Sequence, residues 1–391
     1  MYKILTLNNI SEQGLKRLPD DLYNIQDSQD NPHAILVRSF KMNEMDLGSN
    51  LELVARAGAG VNNIPVDRLS DRGIPVFNAP GANANAVKEL VIASMLLAAR
   101  NLPKAWNYSQ SLTEEGDALS KAVEAGKKKF VGYELPSRSL GVIGLGAIGV
   151  RVANTALELG MNVIGFDSKV SVERAWELNA GVEQARSLHD LLAKSNMVTI
   201  HVPLLDETRG LINADGIALM PKDGVLLNFA RDLIVDEAAV LKSLAAEHLG
   251  YYVTDFPNQH LFGNDKVITL PHLGASTGEA EINCAIMAAE NLRNYLEQGI
   301  VKNSVNFPEA DLPRTSPYRL TIANRNVPNM VGQISTCLAN SSLNIEDLLN
   351  KSRGELAYTI VDLDKPVTEI VLSEIESIEG VLRVRSLANI D

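Results

Sequence analysis

Short apolar runs separated by helix-length segments set the rhythm of the first three quarters of the chain. Residues 34–37 (Ala-Ile-Leu-Val), 51–55 and 75–78 read as strands, and residues 87–100 as a long helix with an apolar face. The opening Met1-Tyr2-Lys3-Ile4-Leu5-Thr6-Leu7 reads as a first β-strand, because it lacks the basic flank and long apolar run of a signal peptide. A second series starts at Ser139, with strands expected at 140–143, 161–166, 197–202, 225–228, 251–255 and 267–269. Strands alternating with helices predict βαβ units and parallel sheets. The expected fold is therefore α/β, with two doubly wound, Rossmann-like domains, the second built on six strands.

Residues 109–138 lie between the two series, carry Lys127-Lys128-Lys129 and show no long apolar period. They read as a helix and loop excursion whose lysines face solvent. The helix expected over 278–296 is apolar enough to pack back on the first domain, which makes that domain discontinuous. The predicted boundaries are 1–99 with 277–306 for the first domain and 100–276 for the second. Residues 307–317, with three prolines, suit an extended linker. Beyond it, residues 318–391 read as a small α+β module: strand 319–323, helix 330–339, strand 356–363, helix 367–378, strand 381–387.

Composition narrows the possible partners. At 391 residues and 46% hydrophobic, the chain has material for two or three cores. Its formal net charge of −12 argues against nucleic acid or an anionic membrane, both of which are held by clustered Lys and Arg. No stretch approaches the roughly 18 apolar residues of a membrane span. The two cysteines, Cys284 and Cys337, match no metal spacing, so no metal is expected and a reduced, cytoplasmic setting is the simpler reading.

The first candidate chemistry is Gly144-Leu145-Gly146-Ala147-Ile148-Gly149. Such a spacing is weak evidence alone, but here it follows the strand 140–143 and opens a helix pattern at 150–159. Glycines in that place turn the chain and let backbone N–H groups approach a pyrophosphate. The next strand ends in Asp167, whose carboxylate can accept from ribose hydroxyls and would repel a 2′-phosphate. The expected cofactor is NAD, with Lys169 as the one dissenting charge.

Ligands of open α/β sheets sit at the carboxyl ends of strands, which singles out Arg231, Gln259 and His272. Histidine suits removal of a hydroxyl proton near neutral pH, and the planar Arg fork suits a carboxylate. The expected substrate is a small 2-hydroxy or 2-oxo acid.

Four blocks carry a resemblance: Ala55-Arg56-Ala57-Gly58-Ala59-Gly60-Val61, Gly81-Ala82-Asn83-Ala84-Asn85-Ala86-Val87-Lys88-Glu89-Leu90, Asn228-Phe229-Ala230-Arg231 and Pro271-His272-Leu273-Gly274-Ala275-Ser276-Thr277. In this order they resemble the D-isomer-specific 2-hydroxyacid dehydrogenase family, and within it the members that oxidise D-3-phosphoglycerate and carry a C-terminal ACT domain. The resemblance implies that Arg231 binds the substrate carboxylate and carbonyl and that His272 is the acid/base. It implies that Ala59, Gly60 and Asn83 line the carboxylate pocket and makes Arg38 and Arg56 candidates for the substrate phosphate. Pro203, Ala230, Asp255 and Gly274 are expected to join Gly144, Gly146, Ala147, Ile148, Gly149 and Asp167 at the cofactor.

The chain also departs from that family. Gln259 stands where the family has a glutamate that orients the histidine, and a neutral amide removes the charge that would raise the histidine pKa. The family's strand-end Asp matches Thr254, one residue before Asp255. The resemblance implies that Asn324, Asn326 and Asn344 hold an amino-acid effector, serine, between paired copies of the module, in a homodimer or tetramer. Asn329 replaces a glycine in that loop; asparagine tolerates a left-handed backbone, but its side chain crowds an effector. Glyoxylate or hydroxypyruvate reduction, and a catalytically weakened NAD-responsive regulator, are the alternative functions.

Overall fold

The computed structural model describes residues 1–388 of the 391-residue chain. The chain forms two compact units: Ala84–Thr277, and a discontinuous unit made of Met1–Asn83 and the chain from Gly278 onward. The discontinuous unit begins with five parallel strands, β1 (Tyr2–Leu7), β2 (Tyr23–Gln26), β3 (Ala34–Val37), β4 (Leu53–Arg56) and β5 (Val76–Phe77), in the order β2-β1-β3-β4-β5. All four residues of β3 are buried, as expected for a continuous apolar run in the middle of a sheet covered on both faces. The edge strand β2, half-polar and four residues long, escaped the sequence reading. Helix Gly278–Gln298 returns to this unit, as expected, and places Cys284, Ala288, Leu292 and Tyr295 in one core with Ile4, Leu36, Leu53 and Phe77.

The second unit holds seven parallel strands: β6 (Ser139–Ile143), β7 (Asn162–Phe166), β8 (Glu183–Gln184), β9 (Met197–Ile200), β10 (Gly224–Asn228), β11 (Leu249–Thr254) and β12 (Val267–Thr269). Their order is β12-β11-β10-β9-β6-β7-β8, so the winding reverses at β6. The strand beyond the expected six is β8, two exposed residues with no apolar signal. The domain boundary also differs from expectation. Helix Ala84–Ala99 belongs to this unit, because its Val87, Val91, Met95 and Ala98 share a core with Leu140, Val142 and Val150. Burying Val87, Val91 and Met95 contributes about 1.5–3 kcal/mol each, so the boundary falls at Asn83 rather than after residue 99. Residues 109–138 form short helices, and Lys127, Lys128 and Lys129 are exposed.

The rest of the discontinuous unit is the C-terminal module: β13 (Tyr318–Arg325), helix Met330–Asn340, β14 (Ile345–Arg353), β15 (Leu356–Leu363), helix Glu369–Glu376 and β16 (Val381–Ala388). The antiparallel order is β14-β15-β13-β16, giving four strands where three were expected. The missed β14 is an edge strand reading Ile-Glu-Asp-Leu-Leu-Asn-Lys-Ser-Arg, too polar for a period-2 signal. One sheet face packs Leu320, Ile322 and Val361 on Met330, Ile334 and Ile375 of its own helices. The other sets Ala323, Leu356, Tyr358 and Ile360 in the same core as Tyr295 and Phe307.

Residues 307–317 are not the extended spacer expected. Phe307 and Ala310 are fully buried, and Ala310 pairs with Val301. A buried ion pair seals the junction: Arg319 Nε and Nη2 donate to Asp362 at 2.7 and 2.8 Å, and Arg319 Nη1 donates to the Gln298 carbonyl at 2.9 Å. The Thr315 N–H and hydroxyl complete the carboxylate's partners. Burial alone would push the Asp362 carboxyl up, but the Arg319 guanidinium holds it below the usual range. Arg385 stacks over the Tyr295 ring at 4.3 Å and pairs with Glu52 at 2.5 Å.

Among the described residues no helix is long and apolar enough to cross a membrane, and no group of three or more His, Cys, Asp or Glu is placed to hold a metal. Cys284 and Cys337 are free.

Candidate active site

The glycine loop leaves the carboxyl end of β6, where the strand order reverses, as sites in doubly wound sheets do. Gly144 has φ +90°, and a Cβ there would stand 2.7 Å from the His201 carbonyl oxygen. A Cβ on Gly149 would stand 1.9 Å from the Gly144 carbonyl oxygen, so helix Ala147–Glu158 can start this close to the strand only with glycine. A Cβ on Gly146 would meet nothing within 4 Å. The loop is thus backbone-lined and open at Gly146, with the first N–H groups of the helix, including those of Ala147 and Ile148, lacking partners inside it. That surface fits a pyrophosphate.

Asp167, just past β7, does more than the sequence reading assigned. Its Oδ2 accepts the Leu145 N–H at 2.7 Å and its Oδ1 the Lys169 N–H at 2.8 Å. The carboxylate braces the glycine loop and still has lone pairs for a ribose. Pro203, after β9, is exposed, and its carbonyl accepts the Thr208 hydroxyl at 2.6 Å.

After β10 the buried Asn228 pins the next three residues. Its Oδ1 accepts the Ala230 N–H at 3.2 Å and its Nδ2 donates to the Arg231 carbonyl at 2.8 Å. Arg231 is extended and exposed, with Nη1 donating to the Ala230 carbonyl at 2.6 Å.

His272, after β12, adopts φ +55°, a region that non-glycine residues rarely occupy and that active sites often do. Its ring stands edge-on to Phe256 at 5.1 Å. Asp255 fixes the surrounding loop: its carbonyl accepts the His272 N–H at 3.1 Å, its Oδ1 the Leu273 N–H at 2.7 Å and its Oδ2 the Gly274 N–H at 2.8 Å. Asp255 is only 2% exposed, and burial pushes its carboxyl up while these amides and nearby His272 oppose the rise. Each carboxylate oxygen thus accepts one amide of the His272 loop, so Asp255 positions that loop. A Cβ on Gly274 would come within 3.2 Å of Asp255 Oδ2, a tight approach that would press on this carboxylate.

Gln259 lies exposed on the turn Gln259–Leu261, and among the described residues no hydrogen bond joins its amide to the His272 ring. The turn is held by Asn258, which accepts the His260 N–H and donates to Glu237 Oε2. Burial pushes the Glu237 carboxyl up, and its other oxygen is buried without a partner. Asn228 was read only as part of the Asn228–Arg231 block, and Asn258 and Glu237 were given no role, having no periodic or motif signal of their own.

In the discontinuous unit, Val37 and Arg56 are register partners, which puts Arg38 and Arg56 side by side at the carboxyl edge of β3 and β4. Arg56 Nε donates to the Arg38 carbonyl at 2.9 Å and Arg56 Nη1 to the Gly60 carbonyl. Arg38 forms an ion pair with Glu281. The Ala59 carbonyl accepts from Asn78 Nδ2 at 2.5 Å, and Asn83 is half-buried just before helix Ala84–Ala99.

One module does not bring the three expected effector asparagines together. Asn324 and Asn326 lie at the end of β13, but Asn344 precedes Ile345, which pairs with Leu363 opposite Tyr318 at the other end of the sheet. Asn329 does adopt the left-handed conformation, with φ 63°.

A nucleotide loop at the switch point of a parallel sheet, with an arginine and a histidine after two further strands of the same sheet, is the arrangement of a dinucleotide-dependent dehydrogenase. Residues 92–274 match the model of the D-isomer specific 2-hydroxyacid dehydrogenase NAD binding domain, so the cofactor is NAD. A D-3-phosphoglycerate dehydrogenase of Escherichia coli K12 is 32% identical over 341 residues, covering 84% of this chain and 79% of that protein. One from Methanocaldococcus jannaschii is 36% identical over 330 residues, 82% of this chain; this chain spans only 59% of that relative's length. Among solved structures, an NAD+-bound 3-phosphoglycerate dehydrogenase of Entamoeba histolytica aligns with TM-score 0.60 at 26% identity, over 78% of this chain and 98% of that one. The chain belongs to the D-isomer-specific 2-hydroxyacid dehydrogenase family.

Proposed function

We propose that this chain oxidises D-3-phosphoglycerate to 3-phosphohydroxypyruvate, the step that opens serine biosynthesis. The carrying observation is that the glycine loop, the Arg231 loop and the His272 loop all leave the carboxyl edge of one parallel sheet. The glycine loop 144–149 and Asp167 would hold NAD, which would supply the hydride acceptor. Arg231 holds the carboxylate and the developing carbonyl oxygen with its planar fork. His272 receives the hydroxyl proton, and Asp255 keeps its loop in place. Gln259 supplies no negative charge to the resulting imidazolium, so the protonated state rests on the rest of its surroundings. Arg38, Arg56, Ala59, Gly60 and Asn83 receive the remainder of the substrate.

A second reading, reduction of unphosphorylated glyoxylate or hydroxypyruvate, is favoured by one observation: Arg38 is already paired with Glu281. The C-terminal module is read as an ACT-type regulatory unit. The opposite-end placement of Asn344 supports an effector site shared by two copies in a homo-oligomer, with L-serine as the effector. The test follows NADH absorbance with 3-phosphohydroxypyruvate, hydroxypyruvate and glyoxylate in turn, with and without L-serine. Fastest turnover of the phosphorylated acid supports the first reading, and turnover of none overturns both.

A further inference from the structure

We infer that Glu281 sets how strongly this site accepts a phosphorylated substrate, by competing with the phosphate for Arg38. The inference rests on the proposed reading of Arg38 and Arg56 as the phosphate-facing cations. Arg38 follows β3 and Arg56 ends the adjacent β4, and the two are joined, Arg56 Nε to the Arg38 carbonyl at 2.9 Å. Arg56 spends a second donor on the Gly60 carbonyl. The Arg38 guanidinium is the more adjustable of the two, and Glu281 occupies it.

Glu281 sits in the first turn of the long helix Gly278–Gln298. One helical turn on is Cys284, a buried thiol that feels Arg38, Arg56 and Glu281 together, which places the three charges in one cluster. The cluster carries two positive charges and one negative, so Glu281 halves the net charge offered to an anion. The Arg38–Glu281 pair is 39% and 43% exposed, and an exposed ion pair is weak and exchangeable. A dianionic phosphate offers Arg38 more charge and more acceptor oxygens than a carboxylate, and it displaces Glu281. A substrate without the phosphate leaves the pair intact. Glu281 thereby lowers affinity for phosphorylated acids while leaving unphosphorylated ones untouched, which narrows the gap between the two substrate classes.

The test is calorimetric titration of the full chain, saturated with NADH, with D-3-phosphoglycerate, D-glycerate and inorganic phosphate. In Glu281→Gln, D-3-phosphoglycerate and phosphate should bind about 2- to 5-fold tighter, the range an exposed ion pair commands, with no change for D-glycerate. The gain should vanish in Arg38→Ala/Glu281→Gln compared with Arg38→Ala. Unchanged or weaker phosphate binding in Glu281→Gln overturns the inference, as does a gain that survives loss of Arg38. Tighter phosphate binding in a protein that fails to reduce 3-phosphohydroxypyruvate supports Glu281's role and sinks the substrate reading instead.

Discussion

Replacing Asp255 with asparagine should separate activity from stability. The carboxylate holds the His272 loop by two amide contacts, at 2.7 Å from Leu273 and 2.8 Å from Gly274. Hydrogen bonds to a charged acceptor are worth about 1.5–3 kcal/mol each. Asparagine keeps one acceptor oxygen and turns an NH2 toward the other amide, so one contact is lost and two donors face each other. Against this stands burial. It is the largest influence on Asp255 and it disfavours the charged form, so a neutral side chain is relieved of that cost. The two effects offset each other in the unfolding free energy, and we expect a net change within about 2 kcal/mol. They do not offset at the histidine. A displacement of about 1 Å in a catalytic group costs on the order of 100-fold, so kcat for keto-acid reduction should fall about 10- to 100-fold.

The sign of the pH dependence supplies a second readout. Because the folded carboxyl titrates above its ordinary value of 3.8, its contribution to stability is full below that value and is lost as pH rises through the raised folded value. Asp255→Asn should lack that loss. The assays are steady-state kinetics with NADH and urea unfolding across pH. A variant with wild-type kcat would refute the positioning role, and an unchanged pH dependence of stability would refute the direction of the shift.

Gln259→Glu should speed keto-acid reduction or move its optimum to higher pH, because a carboxylate favours the protonated histidine; identical pH–rate profiles in the two proteins would exclude this. Burial pushes His201 down to about 3, so as pH falls below about 6.5 the unfolded chain takes a proton the folded chain refuses. Stability should drop by about 2 kcal/mol between pH 8 and pH 5, and urea unfolding of His201→Gln should show this loss abolished. Arg319→Met strands the Asp362 charge in the interior and should cost about 3–5 kcal/mol, most of it recovered in Arg319→Met/Asp362→Leu, as read by denaturant unfolding.

The features legible in the sequence were those written in local order. The glycine loop, its preceding strand and Asp167 lie within one βαβ unit, and Arg231 and His272 each follow a strand, so adjacency along the chain revealed them. The misses have a common cause in contacts that join distant positions. Helix Ala84–Ala99 was assigned to the wrong unit because nothing in its own residues says that Val87 and Met95 meet Leu140 and Val142. That Asp255 also holds the His272 loop was not legible, because its partners lie 18 and 19 residues away. The polar edge strand β14 has no apolar face to announce it. The prolines of 307–317 suggested a spacer, and only the burial of Phe307 and Ala310 shows a packed segment.

That packed segment bears on what the C-terminal module can do. Tyr358 donates its hydroxyl to the Gly299 carbonyl at 3.0 Å, and the module's inner sheet face shares a core with Phe77 and Tyr295. A regulatory unit on a loose tether signals by swinging, and it can be trimmed away without harm to its host. This module is built into the discontinuous unit, so a chain cut at the prolines would bare Tyr295 and Phe307 to water. Heat should melt β1–β5 and β13–β16 in a single calorimetric transition. The helix Gly278–Gln298 meets the module at one end, where the Gln298 carbonyl accepts from Arg319, and near its other end carries Glu281, the partner of Arg38.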